Sequence, residues 1–96
     1  MMKRIKLIYC DVDNINLLLL HQKLERVCSS IYQIQKELIL VTYNGTSKDL
    51  YDKLEEILKT KQTLILDIDA SDGSYWGYMK KDLWQWFESN TNASER

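Results

Sequence analysis

Apolar positions change their spacing several times along the chain, and each change marks an element. The richest β-forming run is residues 31–43, Ile-Tyr-Gln-Ile-Gln-Lys-Glu-Leu-Ile-Leu-Val-Thr-Tyr. β-Branched and aromatic side chains fit a pleated, half-buried surface, so this run is expected to form the centre of a sheet. It is too long for one ordinary strand. The polar triplet Gln35-Lys36-Glu37 divides it into two antiparallel strands, 31–35 and 38–43. Neither Asn-Gly nor a lone Gly stands at the division, which leaves a single bent strand as the competing reading. Asn44-Gly45 ends the run, and Gly45 is expected to supply a positive φ there.

Residues 3–10 are rich in Ile, Leu and Tyr and read as a first strand. Asp11-Val12-Asp13-Asn14 closes it, with Asp13 or Asn14 able to accept from the free N–H groups of a helix over 15–27. Leu17, Leu20, Leu24 and Val27 recur at helical spacing; Leu18 and Leu19 widen that stripe, which predicts burial against more than a sheet face. Thr46 or Ser47 caps a second helix over 48–59. There Leu50, Leu54, Ile57 and Leu58 point inward, and Asp49, Lys53, Glu55 and Glu56 face water. A loop at 60–62 leads to a fourth strand, 63–69, which ends in the Gly73-containing stretch 70–74. Residues 75–88 carry all three tryptophans: Met79, Leu83, Trp84 and Phe87 fit one side of a short closing helix, with Trp76 and Tyr78 on its approach. The polar residues 89–96 show no period and read as a flexible tail, leaving one domain over 1–88.

The order β-α-β-β-α-β with an aromatic helix appended is an α+β, ferredoxin-like plait: a four-stranded antiparallel sheet with two helices on one face. In it the first strand lies antiparallel beside the fourth. Alternation then places Ile5, Leu7 and Tyr9 on one face with Leu64, Leu66 and Ile68, the face expected to receive the helices. Lys6, Ile8 and Cys10 fall on the other face with Ile65 and Asp67, where Lys6 is expected to pair across strands with Asp67. Joined by either Ile39 and Val41 or Leu38 and Leu40, Ile8 and Ile65 would leave an apolar middle without a helix. The tryptophan-rich C-terminus or a second copy of the chain would have to cover it.

Charge and composition narrow the chemistry. With 13 basic and 14 acidic residues in 96, the net charge of −1 argues against broad phosphate binding. Cys10 and Cys28 are too far apart for a CxxC motif and read as buried thiols, one in a strand and one at a helix end. Neither a bilayer-length apolar run nor a signal region is present, so a cytoplasmic setting is the expectation and no membrane role follows. Asp11 and Asp13 have the donor chemistry for a hydrated Mg²⁺ ion; the competing reading makes them a loop aspartate and a helix cap. Asp67, Asp69 and Asp72 fall at the opposite end of the sheet from Asp11. His21, alone in the first helix, reads as a surface residue. Trp76, Trp84 and Trp86, with Tyr75, Tyr78, Lys80 and Lys81, have the makings of a base-stacking surface. Asp82 and Glu88 in the same segment favour a core-closing or partner-binding role instead.

Ile8–Asp13 at the end of the first strand, 33–42 in the hairpin, and 64–87 with Trp-Gly-Tyr-Met and Leu-Trp-Gln-Trp-Phe resemble the Cas-two-like group of small ferredoxin folds, in particular its SinR-like branch. In Cas-two proteins a Tyr-Asp pair ends the first strand, and its aspartate, contributed by both chains of a homodimer, is linked in some members to Mg²⁺-dependent nuclease activity. The resemblance lays Asp11 on that aspartate and Cys10 on the tyrosine. Where the family has basic residues just beyond, this chain has Asn14, Ile15 and Asn16, which argues against cleavage.

Two functions follow. The first is a non-enzymatic interaction module without a cofactor, associating with itself or with a protein partner through Ile8, Ile65, Trp76, Tyr78, Trp84 and Trp86. The alternative is a Mg²⁺-dependent endonuclease or nucleic-acid-binding protein of a CRISPR, toxin–antitoxin or phage defence system, with Asp11 catalytic and Asp11 and Asp13 holding the metal.

Overall fold

A computed structural model describes residues 4–68 and 81–90. In chain order the elements are β1 (Arg4–Cys10), α1 (Asn14–Val27), β2 (Ser30–Gln35), β3 (Leu38–Tyr43), α2 (Ser47–Leu58), β4 (Thr63–Ile68) and α3 (Lys81–Asn90). The strands make one antiparallel sheet in the order β2-β3-β1-β4. This is the α+β, ferredoxin-like architecture that the hydrophobic pattern predicts. Among the described residues no helix is long and apolar enough to cross a membrane. Trp76, Tyr78, Asp69, Asp72 and Met79 lie outside the described residues.

Local chemistry accounts for the boundaries. Asp13 caps α1, its carboxylate accepting from the Asn16 N–H at 2.8 Å, and Thr46 caps α2 by accepting from the Asp49 N–H at 3.0 Å. Residues 31–43 form a hairpin around Lys36-Glu37 despite the missing turn signal. The Gln33 side chain braces the turn: its Nε2 donates to the carbonyls of Gln35 at 2.9 Å and Lys36 at 3.4 Å. A register shift between Gln33 and Gln35 absorbs one extra residue as a bulge. Gly45 serves packing rather than a positive φ, because a Cβ there would lie 2.7 Å from Cε2 of Tyr43. α3 continues through Ser89 and Asn90, two residues past the expected start of the tail, and the Asn90 side chain donates to the Trp86 carbonyl at 2.8 Å.

The register joins Ile5 to Ile68, Leu7 to Leu66 and Tyr9 to Leu64, so these six share a face as expected. The helices, however, sit on the other one. Ile8, Cys10, Ile39, Val41 and Tyr43 are buried with Leu20 and Leu24 of α1 and Leu50, Leu54 and Leu58 of α2, and Ile65 packs beside them. Ile8 is therefore core, not interface. Lys6 misdirects the reading: its charge suggests water, yet it lies fully buried on the helix side, paired with a half-exposed Asp67. Leu18 and Leu19 also depart from expectation, since only Leu20 and Leu24 of α1 are buried and both neighbours are exposed. α1 meets the sheet and α2 over a narrow stripe, and Ile15, Leu18 and Leu19 on its outer side are exposed.

Candidate functional site

The reverse face of the sheet begins with Ile5, Leu7 and Tyr9 of β1, Leu40 of β3, Tyr32 and Ile34 of β2, and Leu64, Leu66 and Ile68 of β4. On part of it lies α3, whose apolar residues recur at helical spacing. Leu83 and Phe87 are buried against Ile5 and Leu40, and Trp84 and Trp86 pack at the margin of the same cluster. Two polar contacts fix the helix over β2: Trp86 Nε1 donates to Ser30 Oγ at 2.7 Å, and Tyr32 donates its hydroxyl to Asp82 at 3.0 Å. Burial and that Asp82 bond both raise the Tyr32 pKa, keeping the phenol protonated as donor. Trp86 also meets Phe87 edge-on at 5.7 Å. Among the described tryptophans, Trp86 spends its indole N–H inside the fold.

Ile68 of β4 packs at the margin of that cluster, and the face opens toward the other end of the strand. Tyr9 is 37% exposed, Leu66 46% and Leu64 55%. The structure thus splits the predicted interface set: Ile8 and Ile65 lie under α1 and α2, and Trp84 and Trp86 lie on the reverse face. The exposed apolar residues of that face are Tyr9, Leu64 and Leu66, which strand alternation assigns to the face expected to receive the helices. Lys6–Asp67 was the available signal, because a pair that neutralises itself across strands can be buried.

At the opposite end of β4 from Asp67, Asp11, Val12, Asp13, Lys36, Thr60, Lys61 and Gln62 line an open groove of about 530 Å³. Asp11 is exposed and its carboxylate has no partner among the described residues; Asp13 commits one oxygen to the α1 cap. The two carboxylates suit a largely hydrated Mg²⁺, which needs only one or two. Among the described residues, no group of three or more His, Cys, Asp and Glu side chains could hold a metal ion. His21 is half-buried rather than at the surface, and its Nε2 donates to Oε1 of Gln33, tying α1 to the hairpin turn. Both cysteines are free thiols, Cys10 buried and Cys28 half-buried. Burial, chiefly, pushes each from 9.0 up to about 11, so neither is a ready nucleophile at neutral pH. No protein-family model, curated protein or solved structure matches the chain.

Proposed function

We propose that this protein is an interaction module, working through the reverse face of its sheet and associating with a second copy of itself or with a protein partner. The observation that carries this reading is the apolar set Tyr9, Leu64 and Leu66, exposed on a sheet face where Ile5 and Leu40 pack against α3. Exposed apolar residues that adjoin one another mark contact surfaces far more often than isolated ones do. Trp84, which packs at the margin of the α3 cluster on the same face, is an aromatic residue of the kind that anchors protein contacts.

Light scattering of the wild type beside Leu64→Glu, with partner capture on the same two proteins, tests the proposal. Leu64→Glu is expected to lose self-association or capture while keeping its fold. Unchanged mass and unchanged capture would remove the face from the function.

The groove supports a second reading. Asp11 is exposed in a groove that Lys36 and Lys61 also line, a residue set suited to a metal-bridged phosphate, and this agrees with the Cas-two-like resemblance. Incubation with RNA and DNA in Mg²⁺ or Mn²⁺, beside Asp11→Ala, decides it: cleavage lost in the variant supports nuclease action, and equal cleavage by both removes Asp11.

A further inference from the structure

α1 is apolar on two sides. Its core side is Leu20 and Leu24, with Leu17 and Val27 packed beside them. On the other side Ile15 is 75% exposed, Leu18 62% and Leu19 46%. These three stand at i, i+3 and i+4, neighbours on one helix surface, and the exposed Gln22 and Arg26 continue that surface at i+7 and i+11. A helix that is apolar all round is one that is packed all round. The core accounts for the first contact only.

The charges along α1 are sorted by end. Asp11 and Asp13 are exposed at its start, Asp13 as the cap, and Arg26 is exposed in its last turn, three residues after the half-buried Lys23. Glu25 is the one acidic residue of the helix itself. Two such helices laid antiparallel set each acidic start against the other's basic end, whereas laid parallel they set like charge against like. The surface is therefore complementary to itself, apolar in its middle and opposite in charge at its two ends. A second copy of the chain supplies both features at once.

We infer that the chain self-associates helix to helix, α1 antiparallel on α1 of a second copy, about a two-fold axis between Leu18 and Leu19. In that register Leu18 lies opposite Leu19 of the other copy, Ile15 opposite Gln22, and Arg26 opposite Asp11. Lys23 meets the acidic start of the other helix near Asp13, and Glu25 stands at the margin of the stripe. Moving the axis to Gln22 sets Leu18 against Arg26 and Leu19 against Glu25, so the apolar residues lose one another. Moving it to between Asn16 and Leu17 pairs Ile15 with Leu18 but carries Arg26 past the other copy's carboxylates. A 14-residue helix is about 21 Å long. One such contact falls below the roughly 800 Å² per partner of a stable complex, so the dimer is weak, with a Kd of about 0.1 mM. The chain is then single at the few micromolar of a spectroscopic melt. α1 lies on the far side of the sheet from Tyr9, Leu64 and Leu66. Self-association through it does not depend on the sheet-face reading, and it leaves that face to a different protein.

Sedimentation equilibrium from about 5 µM to about 1 mM reads the association by mass action. The wild type is expected to pass from monomer to dimer over that range, Leu18→Glu to stay monomeric, and Leu64→Glu to follow the wild type. Leu18→Gln, which adds no charge, is expected to behave as Leu18→Glu does, and circular dichroism checks that each variant keeps its helices. Arg26→Glu is expected to weaken the dimer about tenfold by reversing both end contacts, and Arg26→Glu with Asp11→Lys in the same chain to restore it. A wild type that is monomeric throughout, or Leu18 variants that still dimerise, would overturn the proposal. Dimerisation lost in Leu64→Glu and kept in Leu18→Glu returns self-association to the sheet face and overturns it too. Arg26→Glu that dimerises like the wild type, or a double reversal that fails to recover, overturns the antiparallel register. Partner capture on Leu64→Glu judges the sheet-face reading separately.

Discussion

Removing the Asp67 carboxylate while Lys6 stays in place separates the cost of burial from the gain of pairing. The Lys6 side chain is fully buried, Asp67 is half-exposed, and Ser47 Oγ donates to the same Asp67 oxygen at 3.1 Å. Leaving a buried charge without its partner costs about 3–5 kcal/mol. Asp67 sits half in water, so water enters readily once it is gone, and the lower end, about 3 kcal/mol, applies to Asp67→Ala. Lys6→Met removes the ammonium and keeps a similar volume, so its expected change is within about 1 kcal/mol of wild type. The double variant is expected to match Lys6→Met rather than to add the two losses, since the buried charge is already absent. Urea unfolding followed by circular dichroism measures all four proteins. At about 1–3 kcal/mol per molar for m, Asp67→Ala moves its midpoint down by at least about 1 M with m unchanged. Salt at 1 M is expected to leave the difference nearly intact, because a buried charge is weakly screened. Asp67→Ala within about 0.5 kcal/mol of wild type, or equal losses from both single variants, would refute this account of the pair.

Other substitutions probe the rest of the fold. Leu20→Ala is expected to cost about 3 kcal/mol and Leu18→Ala under about 0.5 kcal/mol, because only the former is buried; thermal melts of the two compare them directly. Trp86→Phe loses the bond to Ser30 and is expected to cost about 1–2 kcal/mol, with near-ultraviolet dichroism reporting loosened aromatic packing over β2. Thr42→Val is expected to be neutral or to stabilise by about 0.5–1 kcal/mol, since the buried Thr42 hydroxyl has no hydrogen-bond partner among the described residues, and urea midpoints check it. Folding raises the Cys10 pKa from 9.0 to about 11. That contribution to stability is full below pH 9 and is lost as pH climbs toward 11, because the unfolded thiol releases its proton first. Cys10→Val is expected to flatten this alkaline decline in midpoint; an unaltered slope would exclude Cys10 as its source.

Element identity and order were legible in the sequence because they follow from short-range causes. The spacing of Leu50, Leu54 and Leu58, the Thr46 and Asp13 caps, and the β-branched run 31–43 each specify their own segment. Strand pairing followed from the order, and with it the Lys6–Asp67 contact. What only the tertiary structure decided was which side of the sheet receives α1 and α2. Both faces of β1 and β4 are apolar, so alternation groups Ile5, Leu7 and Tyr9 apart from Ile8 and Cys10 without ranking the groups. A lysine on one of them tipped the reading toward solvent. Long-range packing reversed it: Asp67 neutralises Lys6 from across the sheet, Ile8 and Ile65 are free to sit beneath the helices, and Leu64 and Leu66 are left at the surface. Local patterns record how each residue relates to its chain neighbours, whereas the choice of face is a sum over contacts between segments far apart in the chain.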